Sequence, residues 1–370
     1  MEAVVELVAG CYEQIVFGYR IQTTEKEWTS VPDFTHHAHT ACLSAVAANE
    51  RFIATGSKDE TIQLYDMKKR TEHGTLLHHD GTITCLEFYG NSHLLSGGED
   101  GLICIWKTKK WECLKSIKAH KGQVSSLSVH PSGKLALSVG TDKTLRTWNL
   151  IDGRSAFIKN IKQNAHIVMW SPTGEKYVVV INNNMDIYNL ETAAVAGIIS
   201  NPKRISAIRF VTNSIVAVAG DEETVRLYDI DSEQCLCEFR AHDNRVKALY
   251  SFEVEDVSVL VSASNDGFIK MWKLNIEQMH GSPALLCEVN TAARLTCLAV
   301  WQPRSQENPS NPGMQATSSQ AVGDADKPTK TKKVKVDSTE EVIVEESNTS
   351  ATKRAMEGTK KKTKKKQKTQ

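Results

Sequence analysis

One trio of residues near the middle of the chain has the types that hydrolytic enzymes use. His120, Ser138 and Asp142 supply a base, a hydroxyl and a carboxylate, which form a catalytic triad if the fold brings them together. The same types recur at similar spacing, each time followed by an aromatic residue, in four sets: His39, Thr55, Asp59 and Tyr65; His79, Ser96, Asp100 and Trp106; His120, Ser138, Asp142 and Trp148; His242, Ser262, Asp266 and Trp272. A constellation repeated in this way is not one active site. We predict instead a structural network, in which histidine bridges carboxylate and hydroxyl and the hydroxyl contacts the indole N–H.

The elements around each set are short strands. In residues 119–149 two apolar runs, 124–129 and 134–139, flank a turn signal at His130-Pro131-Ser132-Gly133, and a third, 144–148, follows Asp142. The aromatic residue that closes the unit recurs at gaps of 41, 42, 40, 40 and 44 residues, at Tyr65, Trp106, Trp148, Tyr188, Tyr228 and Trp272. A period of 40–45 residues with four strands is typical of a WD-repeat β-propeller.

The N-terminal segment provides only three strands of a unit, at residues 6–10, 15–21 and 28–34. Residues 295–301 repeat the missing innermost strand, because Cys297 aligns with Cys85 and Cys42, and Leu298 aligns with Leu43. We predict that this last strand completes the first blade. The result is an all-β, seven-bladed propeller over residues 1–301 in which no sheet edge stays open.

Two consecutive units, which end at Tyr188 and Tyr228, lack the polar set. At the positions of its histidine, hydroxyl and aspartate they have Gln163, Val178 and Asn182, and then Asn201, Val218 and Glu222. We expect these two blades to depend on apolar packing. Either the repeat has drifted there, or a partner covers the two blades.

The composition argues against a secreted or membrane protein. The nine cysteines of the 370-residue chain are scattered without a metal-type CxxC spacing, so we expect a reduced, intracellular protein with no metal or cofactor. Residues 1–10 contain Glu2 and Glu6 and no basic start, and no apolar run approaches the roughly 18 residues of a membrane span. We expect a monomer that does not interact with membranes.

The composition changes after Trp301. Residues 302–370 contain no Phe, Trp or Tyr and have fifteen Lys and Arg against nine Asp and Glu, which predicts a disordered basic tail. The whole chain has a net charge of +1, so residues 1–301 are acidic, at −5. The tail lysines form two blocks: Lys327, Lys330, Lys332, Lys333 and Lys335; and Lys360, Lys361, Lys362, Lys364, Lys365, Lys366 and Lys368. Such blocks serve in nuclear targeting or nucleic-acid binding, although a purely solubilising tail has the same composition.

Cations also precede the innermost strand in three successive blades. They are Arg204, which follows Lys203, then Arg245 and Arg294. In a propeller these loops surround one mouth of the channel, so we expect a positive arc suited to phosphate or to an acidic peptide. The alternative is ordinary solvated surface.

Three segments carry a resemblance to a known family: LVAGCYEQIVFGYRI, FIATGSKDETIQLYDM and HLLSGGEDGLICIWKT. With the order of the units, they resemble the p21-activated-kinase-interacting protein family, WD-repeat proteins with relatives down to yeast. The resemblance spans about residues 1–301, and the tail matches only in character. It implies a protein of the nucleus and nucleolus, required for biogenesis of the large (60S) ribosomal subunit. Its partners would be pre-60S particles or their assembly factors, with rRNA contact through the tail.

The resemblance also implies kinase regulation, by binding to the regulatory region of p21-activated kinase and blocking its activation by a Rho-type GTPase. The residues alone indicate a non-catalytic interaction scaffold. The alternative is a generic nuclear interaction platform or RNA-associated adaptor without kinase regulation. An enzyme is the least supported class, since we find no unique nucleophile, phosphate loop or metal cluster.

Overall fold

The computed structural model describes residues 3–24, 27–37, 39–254, 256–279 and 281–302. Within them, strands form seven four-stranded antiparallel sheets, which confirms the predicted seven-bladed propeller. Both lysine blocks of the predicted tail lie outside the described residues. The part of the chain that the structure describes contains no helix of the length and apolarity that crossing a bilayer requires.

The blades follow one another along the chain. Blade 1 contains β1 (Ala3–Cys11), β2 (Val16–Thr23) and β3 (Trp28–His36). Blade 2 contains β4 (Leu43–Ala48), β5 (Phe52–Ser57), β6 (Thr61–Asp66) and β7 (Thr71–Leu77). Blade 3 contains β8 (Ile83–Tyr89), β9 (His93–Gly98), β10 (Leu102–Lys107) and β11 (Glu112–Lys118). Blade 4 contains β12 (Val124–Val129), β13 (Leu135–Gly140), β14 (Thr144–Asn149) and β15 (Arg154–Asn160).

The other blades are built in the same way. Blade 5 contains β16 (Ile167–Trp170), β17 (Lys176–Ile181), β18 (Asn184–Asn189) and β19 (Val195–Ser200). Blade 6 contains β20 (Ile205–Phe210), β21 (Ile215–Gly220), β22 (Thr224–Asp229) and β23 (Cys235–Arg240). Blade 7 contains β24 (Val246–Val254), β25 (Val257–Ser264), β26 (Phe268–Leu274) and β27 (Ala284–Asn290), and the last strand is β28 (Leu295–Trp301).

Within a blade, the second strand is the most buried and the outer strand the least. Every residue of β21 is buried, whereas most of the outer strand β15 is exposed. The apolar core lies between neighbouring sheets: Leu137 and Val139 of blade 4, for example, share one cluster with Val179 of blade 5. The second strands are covered on both faces, and this explains why their sequences are mostly apolar apart from the network hydroxyls.

The last strand closes the ring by joining blade 1. β28 pairs with β1, and Gly10 lies opposite Cys297. A Cβ atom on Gly10 would lie 2.6 Å from the Cys297 Sγ, so this contact needs glycine. Across the neighbouring seam, Arg70 of blade 2 forms an ion pair with the buried Glu6, and its guanidinium lies 5.3 Å from the ring centre of Trp301.

The inner strands of all blades except blade 5 have a bulge, which our alignment did not anticipate. In blade 3, Ile83 pairs with Gly98 and Cys85 with Gly97, and the matching pair in blade 2 is Ala45 with Gly56. Ala45 therefore occupies the column of Cys85 and Cys297, and our alignment of Cys42 and Leu43 was wrong by three residues. Cys42 precedes β4, where its carbonyl accepts a hydrogen bond from Lys58 N at 3.1 Å. The error arose because Cys42 is a small apolar residue like Cys85, whereas the six-residue spacing from the network histidine is the same for His39 to Ala45 and for His79 to Cys85.

Candidate functional site

The structure brings the central set of polar residues together in blade 4. His120 Nδ1 lies 2.9 Å from Asp142 Oδ1, and His120 Nε2 lies 2.8 Å from Ser138 Oγ. Trp148 Nε1 donates to the same Ser138 Oγ at 2.9 Å. Because the carboxylate only accepts, the histidine donates from Nδ1, and the serine hydroxyl donates to Nε2. The chain of donors and acceptors is complete.

Two further blades repeat this geometry. In blade 3, His79 lies 2.9 Å from Asp100 and 2.8 Å from Ser96, which accepts from Trp106 at 2.9 Å. In blade 7, the corresponding distances among His242, Asp266, Ser262 and Trp272 are 3.0, 2.7 and 3.0 Å. Three equivalent copies of one arrangement match the prediction of a repeated network.

The network aspartate also holds two loops. Asp142 accepts from Lys121 N at 3.1 Å and from Thr144 N at 3.2 Å, so it ties the loop before β12 to the turn between β13 and β14. Burial alone would raise the pKa of the Asp142 carboxyl, but hydrogen bonds from Thr144 and His120 outweigh burial and hold that pKa well below its usual value. Burial lowers the pKa of the His120 imidazole, despite the neighbouring carboxylate.

This arrangement is unsuited to hydrolysis. The Ser138 side chain is fully buried, its proton is directed to His120, and its oxygen accepts from the indole of Trp148. A substrate carbonyl would have to displace the tryptophan to reach the hydroxyl. The geometry is that of a buried, satisfied polar cluster.

Blade 2 forms the same network without its last link. His39 Nδ1 lies 3.0 Å from Asp59, and His39 Nε2 lies 2.8 Å from Thr55 Oγ1. Tyr65 occupies the position of the tryptophans, but its hydroxyl is buried and has no hydrogen-bond partner among the described residues. Burial raises the pKa of Tyr65 to about 12.

Blade 6 corrects our expectation that it depends on apolar packing. Arg226, a residue that we did not single out, forms an ion pair with Glu222 and donates to Asn201 Oδ1 at 3.0 Å. It also donates to Glu238 at 2.9 Å, and the Tyr228 hydroxyl donates to Asn201 at 3.3 Å. A different set of side chains therefore fills the polar corner. The available signal was an arginine four residues after Glu222, on the strand that contains Tyr228.

Blade 5 depends on apolar packing, as we expected. Tyr177 and Tyr188 stack with ring centres 4.9 Å apart and an interplanar angle of 3°. The residue at the hydroxyl position is Val179 rather than Val178, because Tyr177 pairs with Tyr188 as Ala136 pairs with Trp148 in blade 4. Our one-residue error arose because the turn between β17 and β18 is one residue shorter than the corresponding turn in blade 4.

The predicted cations lie exposed at the starts of the inner strands of blades 6, 7 and 1: Lys203, Arg204, Arg245 and Arg294. We call these four residues the cationic arc. Arg294 is partly neutralised, since its Nε donates to Glu13 at 2.8 Å, and its guanidinium lies 4.3 Å from the ring centre of the exposed Tyr12. Among the described residues, no acidic group lies within ion-pair distance of the other three cations.

A fifth cation near the arc escaped the sequence analysis. Lys247 lies on β24, and its pKa is lowered by burial and by the nearby Arg245 and Arg204, while Asp221 opposes the shift. The three cations therefore share one electrostatic environment. The sequence contained a signal for Lys247, because the equivalent positions of β20 and β28 have the uncharged Ser206 and Thr296.

Seven four-stranded sheets and the repeated histidine networks define a WD-repeat propeller. The family model "WD domain, G-beta repeat" matches residues 29–66, 70–107, 111–149 and 233–273. These four segments contain the four His-Ser/Thr-Asp sets, whereas blade 5 and the first three strands of blade 6 lie between the matched segments.

The chain belongs to the p21-activated protein kinase-interacting protein 1 family. It is 66% identical over 348 residues to a "p21-activated protein kinase-interacting protein 1-like" protein of Danio rerio, covering 94% of both chains. It is 59% identical over 302 residues to "p21-activated protein kinase-interacting protein 1" of Homo sapiens, covering 80% of this chain and 77% of the human one. It is also 28% identical over 324 residues to "Shk1 kinase-binding protein 15" of Schizosaccharomyces pombe, covering 85% and 89% of the two chains.

Proposed function

We propose that this protein is a non-catalytic scaffold that binds the regulatory region of a p21-activated kinase and blocks its activation by a Rho-type GTPase. The main support is its similarity, over 94% of the chain, to a relative named for interaction with p21-activated kinase. The Schizosaccharomyces pombe relative is likewise named for binding a kinase. A rigid ring of seven sheets with satisfied polar corners suits a role in binding rather than in chemistry.

We place the kinase contact on the cationic arc. Arg204 and Arg245 are exposed in successive blades, and Lys247 lies in the same electrostatic environment. Residues 1–301 are acidic as a whole, so this local concentration of cations would select an acidic segment and repel a basic one. Arginine also offers a planar fork of donors that matches a carboxylate or phosphate.

A binding measurement with full-length protein tests this assignment. We expect the double variant Arg204→Glu/Arg245→Glu to bind the purified regulatory segment of the kinase at least about tenfold more weakly, because two attractive charges become repulsive. The matched control is Arg154→Glu on the outer strand of blade 4, whose partner Asp152 is also exposed. Unchanged binding by a double variant with wild-type melting behaviour would move the contact elsewhere. No binding by the wild-type chain would support the generic interaction platform.

We also propose a role in assembly of the large ribosomal subunit, in the nucleus and nucleolus. The support is the pair of lysine blocks, since dense positive charge binds import receptors and RNA phosphates. The partners would be pre-60S particles or their assembly factors, with rRNA contacted by the tail.

Two measurements test this second role. We expect the protein to co-sediment with large-subunit precursors, and ribonuclease or high salt should abolish this association. We also expect a tagged protein without residues 327–335 and 360–368 to spread into the cytoplasm while its melting temperature stays unchanged. If it still concentrates in nucleoli, the propeller rather than the tail determines its location.

A further inference from the structure

Three potential metal ligands that are far apart in the sequence meet at the junction of blades 2 and 3. They are His78, just after β7, Cys104 on β10 and Cys113 on β11. A ring nitrogen of His78 and the two sulfur atoms all lie within 4.8 Å of one another. Cys104 is fully buried, Cys113 is half-buried and His78 is exposed, so the cluster is open to solvent on one side.

The strand pairing explains why the two sulfur atoms lie on the same side of the sheet. Cys104 pairs with Ser116, and Cys113 pairs with Trp106 after a register shift that follows Ile105. Leu114 is the extra residue at this shift, and it moves Cys113 from the opposite face of β11 to the face that contains Ser116. The ring of His78 packs edge-on against Trp106, with ring centres 5.9 Å apart.

These distances are close to those that a tetrahedral zinc ion imposes. With Zn–S near 2.3 Å and Zn–N near 2.0 Å, neighbouring ligand atoms are about 3.5–3.8 Å apart. Ligand atoms that lie within 4.8 Å of one another need to approach by about 1.3 Å at most, and rotation of the exposed His78 and half-buried Cys113 side chains supplies this movement. Two thiolates would balance the charge of the ion, and one imidazole completes a set that soft and borderline cations prefer.

We propose that His78, Cys104 and Cys113 form a zinc-binding site, with the fourth position open to water. The bound ion links the connection between blades 2 and 3 to the two outer strands of blade 3. It therefore stabilises this junction without taking part in the hydrogen-bond network of the adjacent His79.

The competing outcome for two close thiols is a disulfide. The nearby imidazole adds a third ligand that has no part in a disulfide. The geometry favours zinc, and the oxidised pair is an outcome that the experiment must detect.

The test uses the full-length chain, purified with reduced thiols and stripped with a chelator. Residues 302–370 contain no cysteine or histidine, so the tail adds no sulfur or nitrogen ligand of these types. After zinc is added back and the excess is removed, we expect one zinc ion per chain by elemental analysis and a higher melting temperature than that of the stripped protein. When Co²⁺ is added instead, we expect a thiolate-to-cobalt absorption band. Failure of the wild-type chain to retain zinc or to show the cobalt band overturns the proposal.

Variants locate the site. We expect His78→Ala and Cys113→Ser to weaken zinc binding by more than the roughly 10–100-fold that results when a residue contacting a metal ligand is replaced. Because His78 is exposed, His78→Ala should fold normally even if Cys104→Ser does not. The controls are His37→Ala and Cys235→Ser, which change exposed residues elsewhere. Equal zinc binding by wild type and Cys113→Ser, loss of zinc in a control, or a Cys104–Cys113 disulfide in place of the cobalt band each contradicts the proposal.

Discussion

Blades 4 and 6 occupy equivalent places in one ring, yet they satisfy the same corner with different chemistry. In blade 4 a neutral histidine joins Asp142 to Ser138, and in blade 6 the cation of Arg226 joins Glu222 to Asn201. Both arrangements tie the loop before the inner strand to the turn after the second strand. The common requirement is that buried polar groups find partners, and the residue types that meet it can differ.

Blade 5 shows a third solution. Val179 stands where blade 4 has its serine, and the stacked rings of Tyr177 and Tyr188 pack nearby. With no hydroxyl to satisfy there, the blade needs neither histidine nor aspartate. Replacing both partners of a buried hydrogen bond by apolar groups is nearly neutral, whereas removing one partner is costly.

The largest change in the free energy of unfolding should come from removing the cation of blade 6. We expect Arg226→Met to destabilise the protein by about 2–4 kcal/mol, because Glu222 and Asn201 lose their shared donor while they remain largely buried. Arg240→Met on the same blade is the control, since Arg240 and its partner Asp243 are 70% and 85% exposed, and should cost about 0–1 kcal/mol. Chemical denaturation measures both. Similar costs would mean that the blade depends on its apolar core after all.

A smaller loss is expected in blade 4. Asp142→Ala should cost about 1–3 kcal/mol, since His120 and two backbone N–H groups lose their acceptor. The control is Asp152→Ala on the same blade, whose carboxylate is 43% exposed and pairs with an exposed arginine. If thermal and chemical unfolding give equal shifts for the two variants, the network does not stabilise the blade.

In blade 2, where the network is incomplete, removing the last polar group should not lower the stability of the protein. Tyr65→Phe removes a hydroxyl that is buried without a partner, so we expect unchanged or slightly higher stability, by about 0–1 kcal/mol. Trp148→Phe in blade 4 should be destabilising, because Ser138 loses its indole donor. A loss of stability in Tyr65→Phe would reveal a bond from this hydroxyl to Thr55 in solution.

The smallest expected difference is in pH dependence. The pKa of His120 is lowered in the folded state, so near pH 6 the unfolded chain, with a histidine pKa of about 6.5, binds more protons. The contribution of His120 to the free energy of unfolding is therefore fully present above about pH 6.5. It is lost as the pH falls from there toward the lowered pKa of the folded state. Arg226 and Asn201 of blade 6 do not titrate in this range.

Denaturation at pH 7 and pH 5 tests this difference. We expect the loss of stability between the two pH values to shrink in His120→Gln and to stay at the wild-type size in Asn201→Ser. An unchanged loss in His120→Gln would show that this histidine is charged in the folded protein at pH 5.

The seven-bladed fold and the four polar sets followed from the sequence, because both depend on repetition. Each repeat must bury the same faces against its neighbours, so strand length, turn residues and network spacing recur about every forty residues. Pairing of the last strand with β1 followed from the same pattern, since a three-stranded first unit leaves an edge that only Leu295–Trp301 could cover.

The tertiary structure decided what repetition does not specify. The register of Val179 depends on a turn whose length varies between blades. The Arg226 cluster, the position of Lys247 beside the arc, and the meeting of His78 with Cys104 and Cys113 each join residues from different strands. Such contacts depend on bulges and on which face of a strand meets its neighbour, and a shift of one residue reverses that face.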